Sequence, residues 1–317
     1  MENLPETLCV DPATPPLPPP TDTATFDVTP IEASSSISQS ATVDELIHML
    51  YNPNLREEAM ELLNKKRESC AELPIQLWNS FNTVYILLQE VISLYKKLSP
   101  LRITTKESTR VCNALALIQC MAAHPDTRMG LVRAKIPAYL YPFLEPTVNE
   151  KPLEFLRLTS LGVIGALVKI EDSNAPEVVH FLLETEVFPL CLRCIDLGDE
   201  LTQSVAALIV MKILIQEEGL NYCCALAERF FSVVQVLGRL VERLPETPCL
   251  RLLRYVVRCY LRLSELPSSL RSMAMETFRR CLPSKLTDER FLNVLHDDPQ
   301  TARMLQQFFL NITTSSS

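Results

Sequence analysis

The side chains able to do chemistry are few, and their spacing argues against most reactions. Four histidines, His48, His124, His180 and His296, stand far from one another, and no G-x-S-x-G, P-loop or H-E-x-x-H phrase accompanies them. Cys191-Leu-Arg-Cys194 is a single C-x-x-C without a second pair. It reads as two thiols packed in a core rather than half of a zinc site. The carboxylate pairs Glu217-Glu218 and Asp297-Asp298 fall at expected helix ends, where a solvated cap accounts for them. No catalytic residue, cofactor or metal is therefore expected. One charged group does have a pattern: Arg251, Arg254, Arg258 and Arg262 are three, four and four residues apart and line one face of a helix. Between 239 and 280, nine arginines are set against Glu242, Glu246, Glu265 and Glu276. Such a stripe is able to meet phosphates or an acidic peptide, which makes a direct nucleic-acid platform the alternative reading. The competing reading is a solvated or internally paired face.

The elements that must carry these residues are helices. Only Gly130, Gly162, Gly165, Gly198, Gly219 and Gly238 occur in 317 residues, so few sharp turns or phosphate cradles are expected. The chain is 47% hydrophobic with a formal net charge of -8, and its isoelectric point near 5.2 argues against a whole-molecule grip on nucleic acid or an anionic membrane. Eleven cysteines, mostly within apolar helical stretches, fit a reduced compartment, cytoplasm or nucleus. No apolar run reaches the ~20 residues needed to cross a bilayer, so no membrane is expected.

Residues 1–41 are Pro-, Ser- and Thr-rich, with Pro15-Pro16, Pro18-Pro19-Pro20 and Ser34-Ser35-Ser36, and are expected to be a disordered tail. Order is expected over 42–312, with a second short tail at 313–317. Thr42 and Glu45 have the spacing of a capping box. Apolar periodicity then predicts helices at 43–50, 54–67, 74–97, 105–123, 126–133, 136–144, 152–169, 175–185, 187–196, 200–216, 219–242, 249–264, 268–281, 285–295 and 299–311. Pro125, Pro137, Pro189, Pro248, Pro267, Pro283 and Pro299 fall at or just inside helix starts.

A step of 47 residues aligns Ala116, Val163, Val210 and Val257, and likewise Cys120, Leu167, Leu214 and Leu261. The phrase from Leu131 to Leu140 parallels that from Leu183 to Leu192. A short helix, a turn and a proline-started helix resemble the armadillo repeat, so the expected fold is an all-α, right-handed armadillo superhelix with a concave binding surface. Gly162 and Gly165, in a helix of strong apolar residues, suggest that something approaches its backbone. Trp78 and Phe81 read most simply as core.

Longer phrases resemble one family. Lys65-Lys-Arg-Glu-Ser69, Leu77-Trp-Asn-Ser-Phe81, Arg110-Val-Cys-Asn-Ala-Leu-Ala-Leu117, Tyr141-Pro-Phe-Leu144, Leu156-Arg-Leu-Thr-Ser-Leu-Gly-Val-Ile-Gly-Ala-Leu-Val-Lys169 and Val257-Arg-Cys-Tyr-Leu-Arg-Leu-Ser264 together resemble the Rcd-one (required for cell differentiation, Caf-forty) family over about 43–312. The resemblance implies a non-catalytic adaptor of the CCR-NOT deadenylase complex. Such an adaptor docks on the NOT scaffold among other subunits and recruits short linear motifs of RNA-binding or silencing proteins for mRNA deadenylation, decay and translational repression. It also implies a cytoplasmic and nuclear location, P-bodies included. Carried onto this chain, the peptide groove would comprise Phe81, Tyr85, Phe155, Gly162 and Val205. Arg229 and the Arg251–Arg262 helix would lie near shallow tryptophan-binding pockets. Asn79, Tyr85 and Ala227 depart from the family pattern, Tyr85 being large enough to narrow the groove. Weak nucleic-acid binding and pairing with a second copy are left open.

Overall fold

The computed structural model describes residues 40–145, 150–245, 249–266, 268–288 and 293–313. The tail expectations for 1–39 and 314–317 lie outside them, as do Pro248 and Pro267. The helices are α1 (Val43–Met49), α2 (Arg56–Lys66), α3 (Leu73–Asn79), α4 (Thr83–Ser93), α5 (Thr105–Ala122), α6 (Pro125–Arg133), α7 (Lys151–Lys169), α8 (Ala175–Glu184), α9 (Val187–Leu197), α10 (Glu200–Ile215), α11 (Glu217–Cys224), α12 (Ala227–Arg243), α13 (Leu250–Ser264), α14 (Ser268–Cys281) and α15 (Pro299–Thr313). Among the described residues no strand occurs.

Their starts follow from side-chain chemistry. The Thr42–Glu45 capping box forms at α1, and Thr104 with Glu107 builds a second at α5. Asp199 caps α10 by accepting from the Thr202 amide at 2.8 Å. Prolines open α3, α6, α7 and α8, where the missing amide has no helical partner to lose.

Three rails of helices run side by side. In the first, α3, α6, α8 and α11 touch in succession; in the third, α2, α5, α7, α10, α13 and α15 do. The second rail contains α4, the 3-10 segment Ile136–Phe143, α9, α12 and α14, with α12 packed on both α9 and α14. Each repeat thus contributes one short helix and two others closing a triangle. A single hydrophobic cluster extends through the array from Ala41 to Phe308. At its far end Phe230, Tyr260, Phe278 and Phe308 close the core with ring centroids 5.3–6.4 Å apart. The expected 47-residue period is visible as bonding between rails. Asn64 donates to the Asn113 carbonyl, Arg262 to the Leu214 carbonyl and Asn311 to Ser264, at sequence separations of 49, 48 and 47.

Four expected helices are corrected. The span 74–97 is broken at Ser80–Asn82, where Asn82 takes φ 56°, and 219–242 is broken at Ala225–Leu226, where Leu226 is extended. Both breaks are the corner between first- and second-rail helices, and neither contains a proline or glycine to announce it. The span 136–144 is 3-10 because Pro142 stands inside it without an amide to donate. Of 285–295, residues 289–292 lie outside the described ones; the rest opens as the 3-10 turn Ser284–Thr287 and ends in helical Asn293 and Val294 running into the 3-10 turn Leu295–Asp297. The positive-φ residues among those described are Asn82, Lys135 and Glu186, so the sharp corners are made without glycine.

Candidate peptide-binding surface

The α3/α4 corner lifts two aromatic rings out of the array. Ser80 is extended, Asn82 is left-handed, and Ser80 Oγ donates back to the Gln76 carbonyl at 2.6 Å. Phe81, between them, is 80% exposed, and Tyr85, one turn into α4, is 60% exposed. Phe81 is therefore not the core residue its neighbours suggested. The Tyr51 hydroxyl donates to the Phe81 carbonyl, which ties the α1/α2 connection to this corner and adds a third half-exposed ring. No sequence signal singled out Tyr51, because its role depends on a contact 30 residues away. Trp78 is half-buried and packs against the core. A Cβ at Gly130 would lie 2.2 Å from its Cζ2, so the indole occupies the space that only glycine leaves free.

On the third rail, Phe155 and Gly162 lie seven residues apart on one face of α7. Phe155 is 37% exposed. Thr159, between them, donates to the Phe155 carbonyl at 2.8 Å. Gly162 is buried. Val205 is fully buried in α10, where it can shape a floor but presents no surface to a ligand. A Cβ on Gly165 would meet Val205 Cγ1 at 3.7 Å, an ordinary contact; the close backbone approach expected there is the neighbouring helix, and an alanine would fit. α5 lies between the two halves of the site, packed on α4 and on α7.

The basic stripe is largely stitched into the array. Arg254 binds Asp298 at 2.9 Å, and Arg262 bridges Glu217, Glu265 and the Leu214 carbonyl. Burial alone would raise the Asp298 carboxyl, but hydrogen bonds from Thr301 and Arg254 hold it below its ordinary value. The Glu171 carboxyl is lowered chiefly by its bond from Lys212, with the charge of Arg258 helping. The geometry thus favours the internally paired reading for Arg254 and Arg262. Arg229 stacks 3.7 Å over the Tyr222 ring and donates to the Tyr222 carbonyl, clasping the α11/α12 corner.

Other polar features unread in the sequence are structural. Arg128, fully buried, donates to the Leu167 and Ile170 carbonyls at 3.1 and 3.0 Å and pairs with Asp172, capping the C-terminus of α7. Glu90 accepts from Arg110 at 2.6 and 2.9 Å and from Arg56 at 2.9 Å, and Arg110 also reaches Glu57. Burial would raise the Glu90 carboxyl; the two guanidinium groups overcome it and lower it. Cys191 and Cys194 are buried, and Cys194 Sγ donates to the Leu144 carbonyl at 3.3 Å. Burial pushes the Cys194 thiol up to about 12. Cys120 and His124 stand four apart, a metal-ligand spacing, but the His124 ring accepts from the Asp126 amide and caps α6. Among the described residues no group of three or more His, Cys, Asp or Glu is placed to hold a metal, and no helix is long and apolar enough to cross a membrane.

Comparison with solved structures returns the same architecture. A computationally designed armadillo repeat protein for modular peptide recognition superposes with a TM-score of 0.62 at 14% identity, over 86% of this chain and 100% of its own. A designed armadillo repeat protein in complex with the peptide (KR)4 gives 0.59 at 13%, with the same coverage. The fold is therefore an all-α armadillo-type solenoid. In sequence, cell differentiation protein rcd1 of Schizosaccharomyces pombe is 47% identical over 275 residues, 87% of this chain and 94% of that protein. Protein CAF40 of Saccharomyces cerevisiae is 43% identical over 273 residues, 86% and 71% of the two chains. The model of the cell differentiation family, Rcd1-like, matches residues 46–312, the whole of the helical array from α1 into α15, and this chain belongs to that family.

Proposed function

We propose that the chain is a non-catalytic adaptor of the CCR-NOT deadenylase complex. It docks on the NOT scaffold and presents short motifs of RNA-binding or silencing proteins, so that chosen transcripts are deadenylated, repressed and degraded in cytoplasm, P-bodies and nucleus. Family membership supports the complex. The observation that carries the recruiting role is the exposure of the Phe81 and Tyr85 rings, the two most exposed large apolar side chains among the described residues, with Phe155 partly exposed on α7, since exposed rings on a rigid scaffold are the usual anchors of a short partner segment. Affinity purification from nuclease-treated extract tests the reading, with co-purification of deadenylase subunits as the expected result. Recruitment is tested by the paired substitution Phe81→Ala and Phe155→Ala, which is expected to lower capture of RNA-binding partners at least tenfold while scaffold subunits remain bound. Undiminished capture would refute the groove.

A further inference from the structure

The connection from α4 to α5 concentrates positive charge on a protein whose formal net charge is -8. From Tyr95 to Lys106 stand Lys96, Lys97, Arg102 and Lys106, with no acidic residue among them. The loop is held compact by its own bonds. The Arg102 amide donates to the Lys97 carbonyl at 2.9 Å, Lys97 pairs with Glu107, and the Thr104 amide donates to the other oxygen of that carboxylate at 3.0 Å. Lys97 is thereby engaged. Lys96, Arg102 and Lys106 are exposed, and among the described residues none of them meets a carboxylate. Beside the loop lies a cavity of about 460 Å³ whose lining includes Arg56, Glu90, Ser93, Lys97, Glu107 and Arg110. Its own charges cancel: Arg56 and Arg110 share Glu90, Arg110 also reaches Glu57, and Lys97 holds Glu107. The rim cations are therefore a surplus that nothing within the fold uses.

We propose that the α4/α5 loop and the cavity beside it dock an acidic peptide segment of a partner protein, its carboxylates set on Lys96, Arg102 and Lys106 and an aliphatic side chain on Ile92. Ile92, at the end of α4, is 39% exposed and offers the apolar contact that a peptide supplies and a phosphate backbone does not. Tyr95, the loop's one aromatic residue, gives no free platform for a base, because its ring meets Phe143 edge-on and its hydroxyl donates to the Tyr139 carbonyl. Glu90 and Glu107 in the cavity wall also oppose a continuous run of phosphates. A peptide can place its acidic residues on the rim and keep them off the wall. Single exposed ion pairs contribute little, so recognition needs several carboxylates together and weakens as salt screens them.

A labelled dodecamer of four Glu-Glu-Leu repeats, titrated against the full chain by fluorescence anisotropy at low salt, tests the site. The triple substitution Lys96→Glu, Arg102→Glu and Lys106→Glu is expected to weaken binding at least tenfold. A control of equal charge change at exposed positions elsewhere, Lys65→Glu, Lys151→Glu and Arg279→Glu, should weaken it less than threefold. All six side chains are exposed, so folding is retained, which circular dichroism checks; the milder set Lys96→Gln, Arg102→Gln and Lys106→Gln should still give at least a threefold loss. A Gln-Gln-Leu dodecamer should bind at least tenfold more weakly than the acidic one. Absence of binding by the acidic dodecamer, equal loss in the control set, or equal affinity for the neutral dodecamer would overturn the proposal. So would a twelve-nucleotide oligouridylate that binds more tightly than the acidic dodecamer and is released by the same three substitutions, since the occupant would then be a nucleic acid.

Discussion

At Gly130 the indole of Trp78 leaves no room for a methyl group, with three ring atoms within 2.2–2.8 Å of where a Cβ would be. A rigid ring cannot yield as a flexible side chain would. Gly130→Ala should therefore cost about 2 kcal/mol by overpacking and, since Trp78 is the sole tryptophan, shift the fluorescence of the folded state as well as the denaturation midpoint. Glu90 offers a second measurement. It is a buried carboxylate shared by Arg56 and Arg110, and Glu90→Gln should lower stability near neutral pH by about 2 kcal/mol, the scale of a hydrogen bond to a charged group. Because the folded carboxyl titrates below its ordinary value, its contribution is complete above the unfolded pKa near 4.3 and is lost as pH falls through the depressed folded value. Urea titrations from pH 7 to pH 3 should show wild type and Glu90→Gln converging at the acid end. A gap that persists there would assign the loss to packing instead.

The rails explain which elements were legible before the fold was known. Apolar periodicity and N-terminal prolines carry local information, so α1, α5, α7, α10 and α13 fall close to their expected spans. The corners at Ser80–Asn82 and Ala225–Leu226 carry none: their sequences tolerate a helix, and the turn is imposed by packing of the helices on either side. The core reading of Phe81 fails for the same reason, because a ring that helical spacing assigns to the core becomes a surface ring once α3 ends at Asn79. Lys135 and Glu186 occupy the equivalent corners of the next two repeats with φ 56° and 60°. A side chain in that conformation costs about 1 kcal/mol relative to glycine. Lys135→Gly should therefore raise the free energy of unfolding by up to about 1 kcal/mol, and a destabilising outcome in urea titration would show that the lysine is not strained at this corner.

Over the whole molecule, each third-rail helix is shielded only by its neighbours, so stability is shared between adjacent repeats. Val210→Ala in the middle of α10, where the valine is fully buried, should cost about 2 kcal/mol. Amide exchange should accelerate together in α7, α10 and α13, which pack on one another, and less in α1 and α2. Uniform acceleration along the chain would indicate a single cooperative unit in place of a coupled series.

The bonds that join one rail position to the next do not keep a constant stride: Arg133 reaches Glu177 across 44 residues, whereas Asn64 reaches Asn113 across 49. Chain length between rungs is thus free to vary while the rung chemistry is retained. Loops can lengthen or shorten by a few residues and re-aim one stretch of the scaffold relative to the next, so that related chains could acquire different clientele by editing connectors and leaving the spine untouched.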